Sequence, residues 1–361
     1  MPPKDPVDEA VEQTFPASDA PTFSGVRIGP PADEVVHVLV ALGRTSITDP
    51  APFRAALARF GGRIVLTFAA GDDFARALPE VDVVVAQDLT DAELARAGRL
   101  RWLSSVAAGL DAIATPALLA RGVAVTSASG VHGPNIAEHL MAMMLMFTRG
   151  LPALFRAQLG RRWERNATSR ADGPGELTGK TVLIVGLGRI GEALAARARP
   201  FGVRLVALKN DPSARHDAGV AVDELLPMTA LDDALPRADH VCLTVPLTRA
   251  THHLIDARRL GRMRAGAFLY NVSRGAIVDE AALVDALRAG KLAGAGLDVF
   301  EEEPLPATSP LWELDNVILT PHVAGLTPLY FERTAALFAD NLDRFLAGQP
   351  LANRFDPDRG Y

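Results

Sequence analysis

Between Thr181 and Gly191 the chain reads TVLIVGLGRIG, and the helix-forming run EALAARARPFG follows it. Five β-branched or aliphatic residues, Thr181 to Val185, lead straight into Gly186, Gly188 and Gly191. A strand that turns at once into a helix is a unit of a parallel α/β sheet. The glycines have separate uses in such a turn. Gly186 allows the tight reversal, Gly188 lets backbone approach a pyrophosphate, and Gly191 lets the helix sit close on the strand. The helix N-terminus offers free N–H groups and a positive dipole end to phosphate. A tight βα turn without a ligand can carry glycines too. The strand before and the helix after make this one a dinucleotide site.

The chain around this turn has 361 residues, 48% of them hydrophobic, which is enough for two domains with a sizeable core. Its 37 basic and 43 acidic residues leave a net charge of −6. That balance argues against nucleic acid or an anionic membrane as the main partner. Cys242 is the only cysteine, so no intrachain disulfide forms; within HVCLTV it packs as a small hydrophobe. The longest apolar run, around Leu140 to Phe147, is too short to span a bilayer. Residues 1–25 are rich in Pro, Asp, Glu and Ser and lack the apolar core of a signal peptide. They read as a disordered tail, either a docking segment or a plain extension. A cytoplasmic location is the expectation.

From Val35 the pattern alternates strand and helix. The strands are VVHVLVAL, RIVLTF, VDVVVAQ, RWLSSV and VAVTSAS. Helices are expected over Pro50 to Phe60, over TDAELARAG with Thr90 or Asp91 as cap, and over TPALLARG. From Pro134, PNIAEHLMAMMLMFTRGL is apolar nearly all round and should be buried, between domains or between subunits. Its methionines read as core. Helix potential continues from Pro152 to Trp163, and a polar Gly/Pro-rich connection leads to the glycine turn. Beyond it come GVRLVAL, VDELLPM with a helix after it, DHVCLTVPLT, GAFLYNVSRG, the helix DEAALVDALRAGKL, and the strands AGAGLDVF and VILTPHV. These segments predict two doubly wound parallel sheets. Residues 26–128 form a first domain and 129–322 a dinucleotide-binding domain. The amphipathic helix Pro328 to Leu346 returns to the first, so residues 323–361 join it.

Ligands of such sheets bind beyond the carboxyl ends of the strands. Three ionisable residues fall there after the glycine turn: Arg274 in NVSRG, Glu303 in DVFEEEPLP and His322 in LTPHVAG. An arginine can fork onto a carboxylate and its adjacent carbonyl. A histidine can give a proton as hydride arrives at C2 and take it back in reverse. A neighbouring carboxylate orients the imidazole and favours its protonated form. Taken singly, Arg274 is equally a phosphate or surface arginine, Glu303 a member of a solvated acidic loop, and His322 a strand cap. Together, in this order, they suit reduction of a 2-keto acid.

GLGRIG, NVSRGAIVDEAALVDALRAGKLAGAGLDVFEEEPLP and NVILTPHVAG resemble the D-isomer-specific 2-hydroxyacid dehydrogenase family, and the similarity extends over about residues 35–350. The resemblance implies a flavodoxin-like substrate domain, a Rossmann cofactor domain and a cleft between them. It implies that Arg274 binds and polarises the keto acid, that His322 is the acid/base, and that Glu303, not Glu301 or Glu302, is its partner. SVAAGLD resembles the family's substrate loop, which gives the carboxylate the backbone N–H groups of Ala107, Ala108 and Gly109. Arg189 and Ile190 would join the three glycines at the pyrophosphate. Pro246 would line the adenosine side, and Asp298 would lie near the nicotinamide carboxamide. Val272, Ser273, Arg274, His322 and Gly325 would complete the cofactor contacts. SASGVHGPNIAEHLMAMMLMFTR and GRRW are most similar to the glyoxylate/hydroxypyruvate reductase branch. There a tryptophan of the partner subunit can reach the pocket, a role for Trp163, which otherwise reads as an interface or surface aromatic. His132 has a capping or lining role. A homodimer is the expected assembly, and no metal site is apparent.

About 20 residues after the glycine turn, NAD-binding forms carry an acid for the ribose 2′-OH. Here Lys209 takes that place, followed by Asn210 and Asp211. Lysine suits the 2′-phosphate of NADP, so NADP is expected over NAD, with Asp211 as a counterargument. Two other readings stand beside 2-keto acid reduction. One is oxidation of another small anion, formate or phosphite, which needs no general acid. The other is a dinucleotide-sensing regulatory protein on the same fold.

Overall fold

The structure is a computed structural model and describes residues 29–31, 34–42, 49–110, 113–165, 174–212 and 222–357. The tail expected over residues 1–25 lies outside them. Two sheets, both wholly parallel, organise the rest.

The first sheet alternates with short helices: β1 (Val36–Ala41), α1 (Ala51–Leu57), β2 (Ile64–Ala69), α2 (Gly71–Ala77), β3 (Val83–Ala86), α3 (Asp91–Arg96), β4 (Trp102–Ser105), α4 (Pro116–Ala120) and β5 (Ala124–Thr126). Its order, β2-β1-β3-β4-β5, is that of flavodoxin-like folds. The central strands are buried on both faces, so β3 reads as an unbroken apolar run, VVVA. Thr90 caps α3 in a capping box with Glu93, and Thr115 caps α4. Helix α1 is shorter than expected. The chain continues as a tighter turn over Ala58–Arg63 because Gly61 takes φ 51° and ψ −133°, outside the helical region. Helix α2 was not among the expected elements.

The chain then leaves this sheet through α5 (Gly133–Thr148) and α6 (Leu151–Leu159) and builds the second. It runs through β6 (Thr181–Val185), α7 (Arg189–Ala198), β7 (Arg204–Lys209), β8 (Glu224–Pro227), α8 (Leu231–Ala234) and β9 (His240–Leu243). After these come α9 (Ala257–Arg262), β10 (Ala267–Asn271), α10 (Glu280–Arg288), β11 (Leu292–Leu297) and β12 (Val317–Leu319). The order β12-β11-β10-β9-β6-β7-β8 is a Rossmann sheet with one added edge strand.

Helix α5, expected to be buried between domains or between subunits, packs one face into the core of this second domain. Ile136, Leu140, Met144 and Phe147 share one core with Val182 and Ile184 of β6, Leu194 of α7 and Phe268 of β10. The physical reason is spacing: these residues form one stripe at helical intervals, while Glu138 and Ala142 face out. Among the described residues no single helix is long and apolar enough to cross a membrane. The last helix, α11 (Tyr330–Leu346), packs on the first sheet. Phe338 stacks on Trp102 with ring centroids 5.0 Å apart, and Phe345 lies beside the same indole. The buried Trp102 N–H is satisfied by Thr126 Oγ1 at 2.9 Å. The chain therefore passes between the two sheets twice, before α5 and before α11.

Candidate active site

Strand β6 pairs with β7 on one side and β9 on the other, and the strand order reverses there. A crevice opens at such a switch point, beyond the carboxyl ends of the strands. Gly186 ends β6 at φ 103°. A Cβ on it would stand 2.6 Å from Val245 Cγ1 and 2.9 Å from the Thr244 carbonyl oxygen. A Cβ on Gly191 would stand 2.5 Å from the Gly186 carbonyl oxygen and 3.0 Å from Ile184 Cγ2. These two glycines are required by backbone and side chains of the protein itself. Gly188 is different. It precedes the first residue of α7, Arg189, and a Cβ there would meet nothing within 4 Å. Of the three glycines of the turn, the one with open space around it is the one next to the helix N-terminus, followed by Arg189 and Ile190. The cradle fits a dinucleotide pyrophosphate. Lys209 ends β7, half-buried, with Asn210 and Asp211 exposed after it, and exposed Pro246 follows β9.

The ends of β10, β11 and β12 carry the ionisable residues. Asn271, 1% exposed, closes β10 and shapes the next turn. Its amide donates to the Arg274 carbonyl at 2.8 Å, and its oxygen accepts the Ser273 N–H at 3.1 Å. Ser273 Oγ donates to the Leu243 carbonyl, which ties the turn to β9, and Arg274 Nη1 donates to the Ser273 carbonyl. Val272 is buried below. Past β11, Glu303 Oε1 accepts the Phe300 N–H at 3.0 Å. Its other oxygen, Oε2, accepts from His322 Nδ1 at 2.7 Å. With Nδ1 committed, Nε2 is the ring nitrogen left for proton transfer. Both side chains remain partly exposed, 49% for His322 and 35% for Glu303. Glu301 pairs instead with His253, at 2.8 Å.

His322 has φ 53°, a left-handed conformation that costs a residue with a Cβ. Its N–H donates to the Asp298 carbonyl. The Asp298 carboxylate, on a residue 1% exposed, accepts the N–H groups of Val323 and Ala324 at 3.0 and 2.9 Å. It also accepts the Thr320 hydroxyl at 2.5 Å. In this structure both Asp298 oxygens are turned into the His322 loop.

Residues 141–324, half of the chain, match the model of the D-isomer specific 2-hydroxyacid dehydrogenase NAD-binding domain. The chain belongs to the D-isomer specific 2-hydroxyacid dehydrogenase family. It is 40% identical over 264 residues to a glyoxylate reductase of Thermofilum pendens, covering 73% of this chain and 77% of that one. It is 37% identical over 281 residues to a D-3-phosphoglycerate dehydrogenase of Mycobacterium tuberculosis, covering 77% of this chain but only 52% of that longer protein. Among solved structures, a family member from Xanthobacter autotrophicus Py2, in complex with NADPH and MES, superposes with a TM-score of 0.72. It is 31% identical and covers 90% of this chain and 99% of its own. The chain is thus an enzyme of this dehydrogenase family, with the family's two-domain α/β fold.

For a dehydrogenase of this family, one expected position, Ala107, differs in detail. The Ala107 N–H is not offered to a ligand: it donates to Ser105 Oγ at 3.1 Å, and Ser105 Oγ itself donates to the Gln87 carbonyl. Ala108 and Gly109 follow in an open bend, and among the described residues their N–H groups have no protein acceptor. His132 holds the N-cap position of α5, but its side chain makes no capping bond. Instead Nδ1 donates to the Gly325 carbonyl at 2.8 Å, and the ring stacks on Tyr330. Burial lowers its pKa below the ordinary histidine value. Trp163 is 94% exposed and takes no part in this chain's own His322–Glu303 pair; Phe155 and Leu159 before it are exposed as well.

Sequence reasoning missed Asn271, Thr320 and His139. A signal existed for the first: an amide ending the buried strand AFLYN must find partners, so it marks a built turn. Thr320 and His139 are far apart in the chain, and nothing local joins them. Among the described residues no group of three or more His, Cys, Asp or Glu side chains is placed to hold a metal ion.

Proposed function

We propose that this dehydrogenase reduces a small 2-keto acid of the glyoxylate or hydroxypyruvate type to the 2-hydroxy acid, in the D form where the product is chiral. The observation that carries the reading is the His322–Glu303 pair at 2.7 Å, past the ends of β12 and β11, beside β10 with Arg274 and on the same carboxyl edge of the sheet as the glycine cradle of β6. A bound nicotinamide dinucleotide supplies the hydride that reaches C2. The Arg274 guanidinium binds the carboxylate and draws electron density from the carbonyl oxygen. The amides of Ala108 and Gly109 take the other side of the carboxylate. His322 holds a proton at Nε2 and passes it to the carbonyl oxygen as charge develops. Glu303 accepts from Nδ1 and so fixes the tautomer and the ring plane. Formate or phosphite offers no carbonyl to protonate, so this pair favours the keto acid.

NADP is the preferred cofactor in this reading, on the strength of Lys209 at the end of β7. The NADPH complex of the Xanthobacter relative is in keeping with it. The exposed Phe155, Leu159 and Trp163 fit a homodimer in which Trp163 reaches the partner's pocket.

The test is oxidation of NADPH and of NADH, followed by nicotinamide absorbance, with glyoxylate, hydroxypyruvate, pyruvate, 2-ketobutyrate and 3-phosphohydroxypyruvate in parallel. Turnover with the first two establishes the reading. Turnover confined to the phosphorylated acid transfers the assignment to the reaction of the phosphoglycerate dehydrogenases. Silence with all five, in a protein that binds dinucleotide, favours a sensing role.

A further inference from the structure

Helix α5 grips the His322 loop along one face. His132, Asn135 and His139 recur at intervals of three and four residues, so they line up on one side of the helix. Each reaches the segment from Thr320 to Leu326. His132 Nδ1 donates to the Gly325 carbonyl at 2.8 Å, and Asn135 Nδ2 donates to the Ala324 carbonyl at 2.7 Å. His139 Nε2 lies 3.0 Å from Thr320 Oγ1. The direction of this last bond follows from counting protons. A threonine hydroxyl has one, and Thr320 spends it on Asp298 Oδ1 at 2.5 Å. His139 must therefore carry its proton on Nε2 and donate it. The chain of donation runs His139, Thr320, Asp298.

We propose that His139 is a positioning residue for His322, acting through Thr320 and Asp298. The inference rests on the reading of His322 as acid/base. The Asp298 side chain is 2% exposed, and a buried carboxylate must have its lone pairs filled. It fills them with Thr320 from one side of His322 and the amides of Val323 and Ala324 from the other. The loop is thereby drawn tight around one anion, with His322 at its apex in the left-handed conformation that it would not keep alone. His139 aims the Thr320 hydroxyl: accepting from Nε2 leaves its proton pointed at Asp298. None of these groups touches a reacting atom. They set where the His322 ring stands.

The experiment compares Thr320→Val, Thr320→Ser, His139→Leu and His139→Gln with the parent enzyme, each first shown to melt as a folded protein. Valine keeps the shape of Thr320 and removes the hydroxyl. It is expected to lower kcat by about 10- to 100-fold, the scale of a small misplacement of a catalytic group. KM and Kd for the dinucleotide stay unchanged, and the solvent deuterium isotope effect on kcat rises as proton transfer becomes limiting. His139→Leu lowers kcat by about threefold to tenfold, the equivalent of one hydrogen bond. Serine at 320 and glutamine at 139, which keep the hydroxyl and the donor, restore most of the rate. A Thr320→Val enzyme within twofold of the parent, a loss that serine does not rescue, or a loss that follows dinucleotide affinity overturns the proposal.

A second readout needs no turnover. In the protein without ligand, the proton shared by His322 Nδ1 and Glu303 is followed by NMR and assigned with His322→Gln. It is expected to exchange faster with solvent in Thr320→Val and as in the parent in Thr320→Ser; equal exchange in both overturns the proposal. If the parent reduces no keto acid, the functional reading fails, and this proton still decides the positioning.

Discussion

Gly275 and Phe300 lie in backbone contact: a Cβ built on Gly275 would stand 1.8 Å from the Phe300 carbonyl carbon and 2.3 Å from the Glu301 nitrogen. No side chain, however small, fits between them. The contact presses the turn that carries Arg274 against the loop that carries Glu303, so two groups on neighbouring strand ends are held as one body. Gly275→Ala must separate the two backbones. It is expected to cost about 3 kcal/mol or more of stability and to abolish turnover, although Arg274 and Glu303 are both retained. Denaturant unfolding checks the first effect and keto-acid reduction the second. A variant with parental stability would show that the loops part freely.

The 2.7 Å bond from His322 Nδ1 to Glu303 Oε2 assigns the two residues unequal losses. His322→Ala removes the proposed proton donor and is expected to lower kcat by about 10²-fold or more while dinucleotide affinity holds. Glu303→Gln keeps an acceptor for Nδ1 but removes the charge, so it lowers kcat by a smaller factor. Steady-state kinetics with fluorescence titration of the dinucleotide checks both. Affinity falling as far as turnover would place His322 in binding alone.

Lys209 ends β7, next to the pair of backbone bonds that Gly186 and Leu187 donate to the Leu208 carbonyl. That places the end of β7 beside the glycine cradle, where the adenosine ribose of a dinucleotide would lie. Lys209→Asp exchanges the proposed partner for the 2′-phosphate for a partner of the 2′-OH. The ratio of kcat/KM with NADPH to that with NADH should fall by at least about tenfold, the worth of one charge-assisted bond. An unchanged ratio would mean that another residue reads the 2′ position.

Burial holds His132 below the ordinary histidine value of 6.5, so the folded chain keeps it neutral while the unfolded chain takes up a proton. A group of this kind contributes its full stability above the unfolded value. The contribution is lost as pH falls from there toward the lowered folded value. Denaturant midpoints should therefore drop between pH 7.5 and 5.5, and His132→Asn, which keeps a donor for the Gly325 carbonyl and cannot titrate, should flatten that slope. Identical slopes in the two proteins would remove His132 as the cause.

The elements legible in the sequence were those written by neighbours in the chain. The strand, turn and helix around Gly186 to Gly191 carry their geometry in order, and Thr90 and Thr115 announce the helices that they cap. The short helix α2 carried no such mark. It opens after Ala70 without a side-chain cap, and only Phe74 is buried along it. Helix α5 was legible as apolar and buried, but a stripe of apolar residues does not say against what it packs. Its polar face, the one that reaches the His322 loop, was hidden in the same run of letters.

The sequence by itself determined the alternation that makes two parallel sheets, the glycine cradle, and the placing of Arg274, Glu303 and His322 at strand ends, because these follow from local propensity and hydrophobic period. The tertiary structure alone decided that the Ala107 amide is spent on Ser105, that Asp298 turns inward, and that His139 meets Thr320 across 181 residues of chain. Those contacts depend on how sheets and helices stack, and the energy that selects them is shared among residues that the chain does not place side by side.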